Sequence, residues 1–250
     1  MYPTDSPNAA ARHLGPSSAV ARREALKRVW EEARICRDCL LHETRTMVVF
    51  GSGNSDADLM FVGEAPGRHE DEKGVPFVGQ AGKLLDQLLE EVGLQRRDVF
   101  IANTLKCRPP NNRDPHPHEL ASCEKYLFRQ IELIQPTVIA TLGNFATKLL
   151  RGEATGITRI HGQPEERIIG PRRVRLLPLL HPAAALYTRS MVDVLRADFA
   201  QIPALLALGP PAQPEPAAPM AGDVVTDVPL ESAPAPSPPQ PSDGGQLGLF

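Results

Sequence analysis

Three polar residues stand where apolar runs stop. Glu64 follows Leu59-Met60-Phe61-Val62-Gly63, Asn103 ends Val99-Phe100-Ile101-Ala102, and His181 follows the run that closes at Leu180. An acid, an amide and an imidazole together offer proton transfer and two-way hydrogen bonding. The turn Gly63-Glu64-Ala65-Pro66-Gly67 lets backbone amides approach a ligand closely. Phe77, beyond an acidic loop that ends at Gly74-Val75-Pro76, adds an aromatic ring. This equipment suits a planar, hydrogen-bonding ligand such as a nucleobase. Each residue also has a plainer use: Asn103 can cap a strand end, Phe77 can be core, and His181 before Pro182 can be a structural histidine.

The cysteines suggest a second chemistry. Cys36 and Cys39 form a C-x-x-C pair, and Cys107 and Cys123 lie far downstream with 15 residues between them. Four thiolates satisfy either tetrahedral zinc or a four-cysteine iron–sulfur cluster. The second pair lacks the close spacing usual in zinc ribbons, which favours a cluster. Cys123 also shares an apolar helix face with Leu120, Leu127 and Ile131, where a buried free thiol is common. A redox role for C-x-x-C lacks the preceding thioredoxin-like strand. The expected role is structural, tying the N-terminal helix to the loop after Asn103. His116, His118 and His161 have no partner in the pattern and read as loop residues.

The elements that must position these residues alternate. A helix is expected from Ser18 to near Cys36, with Leu26, Val29, Trp30 and Ala33 on one face. Val48 to Phe50 reads as a short strand. Leu59–Val62, Val99–Asn103, Thr137–Leu142 and Arg173–Leu180 are strand-like apolar runs. Helices are expected over about 79–92, 118–134, 144–150 and 191–208, with Gly93 as a C-cap. Short, almost wholly apolar strands alternating with helices argue for a four-stranded parallel sheet covered on both faces, an α/β fold with three α/β/α layers. Ligands of such sheets bind outside the carboxyl ends of the strands, which is where Glu64, Asn103 and His181 fall. The run Arg172-Arg173-Val174-Arg175 reads as a solvated strand edge rather than a DNA contact.

With 42% hydrophobic and 23% charged residues over 250 positions, the chain has room for one sizeable core plus extensions. No apolar run approaches the roughly 18 residues needed to cross a bilayer, and Met1–Val20 shows no secretory signal. A cytoplasmic, reducing location, no membrane contact and a monomer are expected. The net charge of −3 is an average of unlike parts. Residues 209–250 carry five acids and no Lys or Arg, leaving residues 1–208 at +2. That weakly basic body permits contact with a polyanion. The same segment holds eleven prolines and almost no aromatic residue, so 209–250 is expected to be a disordered tail, as are residues 1–17. The folded domain is expected over 18–208.

In combination, these residues resemble the family 4, iron–sulfur-containing branch of the uracil-DNA glycosylases. The resemblance rests on Gly63-Glu64-Ala65-Pro66-Gly67 with Glu70, Val75-Pro76-Phe77-Val78-Gly79, Asn103, Cys107-Arg108-Pro109-Pro110 with Asn112-Arg113, His181-Pro182-Ala183-Ala184, and all four cysteines. It spans about residues 34–206, in family order. It implies hydrolysis of the bond between uracil and deoxyribose to leave an abasic site, with a [4Fe–4S] cluster on Cys36, Cys39, Cys107 and Cys123. A stacked base is out of reach, so it must be flipped into a pocket and read on its edge. By the resemblance, Phe77 stacks on the uracil ring and crowds out the 5-methyl of thymine. Asn103 pairs with the amide edge, and Gly63, Glu64, Ala65 and Glu70 complete the pocket. His181 stabilises charge on the departing uracil, and Glu64 with Asn112 positions the attacking water. Other branches carry Asp where this chain has Ala65, so the carboxylate role passes to Glu64. The loop through Leu186 and Tyr187 is expected to press into the minor groove.

Two other classes compete. One is a covalent or non-turnover DNA-binding relative, which needs an inserted basic loop with an additional histidine; no such insertion lies between Pro110 and His118. The other is a zinc or iron–sulfur interaction module accompanying a polymerase, which leaves Glu64, Asn103 and His181 without a shared purpose. The last residues, Gln246-Leu247-Gly248-Leu249-Phe250, resemble the peptide by which bacterial proteins dock on the replication sliding clamp, with Gln246, Leu247, Leu249 and Phe250 as anchors.

Overall fold

The computed structural model describes residues 18–186 and 188–214. The expectations for residues 1–17, for Tyr187 and for residues 215–250, the clamp-like peptide included, lie outside the described residues. Among the described residues, strands β1 (Ser52–Gly53), β2 (Leu59–Gly63), β3 (Phe100–Asn103), β4 (Val138–Leu142), β5 (Glu165–Ile169) and β6 (Arg172–Leu179) form one mixed sheet, in the order β1-β3-β2-β4-β6-β5. The expected four strands are thereby corrected to six. Strands β3, β2, β4 and β6 pair in parallel, and β1 and β5 flank them antiparallel. Neither flanking strand has an apolar run. β1 is two residues long, and Glu165-Glu166-Arg167-Ile168-Ile169 alternates half-buried with exposed positions, the charged edge that discourages further pairing.

The helices are α1 (Ala19–Arg34), α2 (Arg68–Lys73), α3 (Gln80–Glu91), α4 (Pro117–Ile134), α5 (Asn144–Arg151), α6 (Ile157–Ile160), α7 (Pro182–Ala185), α8 (Arg189–Phe199) and α9 (Ile202–Ala207). Side chains alternate across a strand, so β2 serves two cores. Met60 and Val62 pack with Leu26 and Val29 of α1 and Leu127 and Ile131 of α4. Leu59 and Phe61 pack with Leu85 and Leu88 of α3 and Leu195 and Phe199 of α8. The Phe61 and Phe199 rings stack with centroids 5.6 Å apart. Burial on both faces explains why these strands read as continuous apolar runs. Among the described residues no helix is long and apolar enough to cross a membrane.

Several other expectations are corrected. Val48–Phe50 is not a strand, although Val49 donates one backbone bond to the Lys106 carbonyl at 2.8 Å. The acidic loop after Gly67 is helix α2, supported by an Arg68–Glu72 pair at 2.8 Å and ended by left-handed Gly74. The helix expected over 191–208 breaks at Ala200-Gln201, because Pro203 cannot continue a hydrogen-bonded helix. Arg172–Arg175 lies in β6, an interior strand rather than a solvated edge. There Arg173 exchanges two backbone bonds with the Gln213 side chain, at 3.1 and 3.0 Å, and Arg175 bonds the Gly209 carbonyl. The packed body therefore continues past Leu208 to Pro214.

Helix α4 ends on Gln135 in the left-handed region, at φ 60° and ψ 47°. A residue with a Cβ is disfavoured there and glycine is not. Gln135→Gly is expected to raise stability by about 0.5 kcal/mol, an increase in Tm of about 1–2 °C for a body this size. A lower Tm in a thermal melt would contradict the cap assignment.

Candidate active site

Parallel pairing puts the carboxyl ends of β2 and β3 on one edge, and their register sets Gly63 directly beside Asn103. The pairing continues past the strands. The Thr104 amide donates to the Gly63 carbonyl at 2.9 Å, and the Leu105 amide and Thr104 hydroxyl donate to the Glu64 carbonyl at 3.0 and 2.5 Å. Asn103 is 1% exposed, and its Oδ1 is buried with no hydrogen-bond partner among the described residues. A Cβ built on Gly63 would lie 2.4 Å from that oxygen and 2.7 Å from Cζ of Phe77. Only a glycine lets the amide and the ring come this close to the strand end. His181 follows β6 on the same edge, and its ring centroid is 5.7 Å from that of Phe77, with planes 29° apart. A Cβ on Gly143, whose φ is +90°, would press within 3.1 Å of the His181 Cβ. Gly63, Phe77, Asn103 and His181 therefore meet at one edge of the sheet.

Phe77 sits at φ 53°, a conformation that costs a bulky residue of order 1–3 kcal/mol and persists only when its surroundings enforce it. Three contacts do so. Arg96 donates to the carbonyls of Pro76 and Phe77 at 2.9 and 2.6 Å while its Nε is held by Asp86 at 2.9 Å. Glu70 accepts the amides of Val78 and Gly79 at 2.9 and 3.0 Å. Gly82 lets the Phe77 carbonyl approach so closely that a Cβ would fall 1.8 Å from its oxygen. Glu70 thus holds the ring-bearing turn. Arg96 was not expected from sequence, since an arginine beyond a helix carries no local signal, whereas a glycine inside an amphipathic helix is itself a hint of close packing.

The electrostatics separate the two polar groups. Burial pushes His181 down to about 4, with Glu70 opposing, so the ring is neutral at physiological pH. Its Nδ1 accepts the Ala183 amide at 3.1 Å, which leaves the proton on Nε2 as a donor. Burial pushes Glu64 up to about 7, with the Asp114 charge adding to the rise. Asn112 is exposed, and its Oδ1 accepts Arg108 at 2.7 Å; its carboxamide is engaged within its own loop. That loop carries Asn111 and Asn112 at φ 55° and 52° and is pinned by Arg113, which grips buried Glu119 at 2.6 and 2.9 Å. Ala65 packs against the core on the α1–α4 side. The histidines read as loop residues have partners after all. His116 precedes α4 and stacks on His118, which lies in the first turn of α4 and not in a loop, and His161 meets Asp198 at 2.8 Å. Both partnerships are long-range or conformational and invisible to spacing. Leu186, just after α7, is exposed.

All four cysteines are free thiols and line one small cavity between α1, α4 and the loop after β3, together with Arg45 and Tyr126. Arg45 Nη1 donates to the Cys107 sulfur and the Lys106 amide to the Cys123 sulfur, each at 3.3 Å. Burial pushes the Cys39 and Cys107 thiols up and Cys123 up to about 12. Thiols this resistant to ionisation become thiolates when a metal centre displaces their protons. Among the described residues no three Cys, His, Asp or Glu side chains gather closely enough to hold a single metal ion.

The family model of the uracil DNA glycosylase superfamily matches residues 50–204, the stretch that contains Gly63, Phe77, Asn103 and His181. The chain belongs to that superfamily. Its relatives include the type-4 uracil-DNA glycosylase of Archaeoglobus fulgidus, 48% identical over 183 residues, covering 72% of this chain and 92% of the relative. The type-4 enzyme of Sulfurisphaera tokodaii is 45% identical over 72% of this chain and 84% of its own length. That of Thermotoga maritima is 46% identical over 68% and 87%. At these identities this glycosylase falls in the type-4 branch. The superfamily match begins at Phe50, after Cys36 and Cys39, so the first cysteine pair lies outside it.

In this glycosylase Gly82→Ala is expected to expel the Phe77 carbonyl from its position, lowering uracil-excision kcat/KM by more than tenfold while the sheet stays folded by circular dichroism. Unchanged activity would show that the Phe77 turn is not held by this approach.

Proposed function

We propose that this chain is a uracil-DNA glycosylase that flips uracil from DNA and hydrolyses its N-glycosidic bond, leaving an abasic site for repair. The observation that carries the reading is the unpartnered Oδ1 of Asn103, buried beside Gly63 and the Phe77 ring. A buried acceptor without a donor costs on the order of 1–3 kcal/mol, and the N3–H of uracil is a donor that meets it. The amide nitrogen of the same side chain is then free for O4. Cytosine reverses both groups and is rejected because buried polar atoms would be left unpaired. Phe77 stacks on the ring and leaves little room for the methyl group of thymine.

The reaction separates charge, with an anion on uracil and a cation on the sugar. A neutral His181 with its proton on Nε2 donates to uracil O2 as negative charge builds there, without the cost of desolvating an imidazolium. Glu64 orients the attacking water and offsets the cationic sugar, and Asp114, whose charge acts on Glu64, shares a loop with Asn112. Incubation with a single-uracil oligonucleotide is expected to give alkali-labile cleavage with multiple turnovers. Asn103→Ala is expected to lose about 100-fold in kcat/KM, the size of a lost buried hydrogen-bond pair of about 3 kcal/mol. Activity that survives in Asn103→Ala would remove the base-reading role. Glu64 must be ionised to act, and its carboxyl is raised to about 7. The rate of excision should therefore climb about tenfold per pH unit below 7 and level off above it. A profile flat from pH 5 to 8, or one that persists in Glu64→Gln, would contradict the carboxylate role.

The four cysteines fit a [4Fe–4S] cluster better than a lone zinc, since a cluster takes one thiolate on each iron whereas zinc needs its ligands around one ion. Cys36, Cys39, Cys107 and Cys123 would hold it. Its contribution is to tie the end of α1 to α4 and to the loop after β3, so no reaction step passes through it. Uracil-containing DNA is the partner. Exposed Leu186 supports a wedge that pushes against the stack as the base leaves.

The peptide Gln246-Leu247-Gly248-Leu249-Phe250 is proposed to tether the enzyme to the replication sliding clamp. Deleting residues 246–250 is expected to abolish clamp binding in a pull-down with purified clamp and to spare excision from short oligonucleotides. Clamp affinity that survives the deletion would dispose of the tether.

A further inference from the structure

Lys106 carries a positive charge in an unusual place. It is 1% exposed, among the largest buried side chains of the molecule, and lies between β3 and the four-cysteine cavity that it helps to line. Its ammonium is held by two neutral oxygens, the backbone carbonyl of Asn103 at 2.8 Å and Oε1 of Gln130 at 2.6 Å. The Gln130 amide is itself fixed by donating to the Phe50 carbonyl at 2.9 Å. The ammonium also lies 5.8 Å from the centre of the Phe50 ring. The main chain of the same residue faces the other way, its amide donating to the Cys123 sulfur at 3.3 Å and its peptide leading straight into Cys107.

Burying a cation costs several kcal/mol unless compensating charge and hydrogen bonds are supplied. Packing alone would be met as well by Met or Leu. What the ammonium adds is a charge-assisted bond to the one peptide whose residue reads the base. Asn103 ends β3, so its carbonyl has left the regular ladder, and the orientation of that peptide sets where Oδ1 points. A base-reading group displaced by a fraction of an ångström loses much of its effect.

We propose that Lys106 is a positioning residue for uracil recognition, one that fixes the Asn103 peptide and links it to the four-cysteine site. The inference rests on Asn103 reading uracil, as argued above. It assigns to the cysteine site a bearing on the pocket through a covalently continuous strap of four residues, Asn103-Thr104-Leu105-Lys106, closed by one side-chain bond.

The test is Lys106→Met in the full chain, an unbranched replacement of similar length that removes only the ammonium. Four readouts are taken: affinity for free uracil, kcat and KM on a single-uracil oligonucleotide, affinity for an oligonucleotide carrying a tetrahydrofuran abasic analogue, and iron per chain. Uracil affinity should weaken about tenfold and kcat/KM should fall at least as far, while abasic-DNA affinity and iron content match the parent chain. Uracil affinity equal to that of the parent overturns the proposal, and so does a loss of abasic-DNA affinity and iron in the same proportion, which marks a merely structural lysine. If Lys106→Met does not fold, Gln130→Met decides. It keeps the ammonium but removes one of its anchors, and should weaken uracil about threefold with iron retained; no change overturns the link. A parent chain that neither binds nor releases uracil refutes the uracil reading itself, a result separate from equality between parent and variant.

Discussion

Parallel pairing requires strands to finish on the same edge, and the placement of the polar groups at this site follows from that constraint. β2, β3 and β6 end in Gly63, Asn103 and the residues before His181, and hydrogen-bond register fixes how far apart those ends can be. The central strands are mostly apolar, so a polar residue at the carboxyl end of a strand is the one placed to face a ligand. A glycine at the central end removes the side chain that would otherwise collide with Asn103 and Phe77. Positions separated by more than a hundred residues in sequence thus become neighbours without any long loop folding over to join them.

The ring is the exception, because no strand carries it. Phe77 belongs to a turn between α2 and α3, and its backbone is in a conformation that its side chain disfavours. Arg96 and Glu70 bond that turn and Gly82 leaves room for its carbonyl, so relaxing it means breaking several contacts together. Strain of this kind is tolerable where the reward is a fixed aromatic wall, and it accounts for a carboxylate and a guanidinium devoted to two or three peptide groups. His181 follows a similar logic on a smaller scale, its tautomer set by a single backbone amide within its own turn.

The buried strands and the amphipathic faces of α1, α3 and α4 were legible in the sequence, because burial on two faces or one stripe imposes a composition that needs no tertiary knowledge; Trp30, expected on the apolar face of α1, is instead exposed, and the buried residues of that helix are Leu26, Val29 and Ala33. The edge strands were not, since β1 is a glycine-bearing pair and β5 alternates charge with partial burial. The break between α8 and α9 was signalled by Pro203 but masked by apolar residues on both sides. At the site, residue identities at strand ends stood out, whereas the supports did not. Arg96 reaches Phe77 across 19 residues, a nearness only the fold creates, and the local bonds of Lys106 to Asn103 and of Arg113 to Glu119 depend on turns that residue types do not dictate. The engagement of Asn112 by Arg108, four residues away, turns on the left-handed backbone of Asn111 and Asn112, which residue types alone do not dictate.

The central claim is that one crevice at the sheet edge receives a pyrimidine, and a crystal structure of the protein soaked with free uracil tests it most directly. The account predicts the ring lying against Phe77, with N3–H donating to Asn103 Oδ1 and O2 accepting from His181 Nε2. Uracil bound elsewhere, or an Asn103 carboxamide turned away from it, would contradict the account.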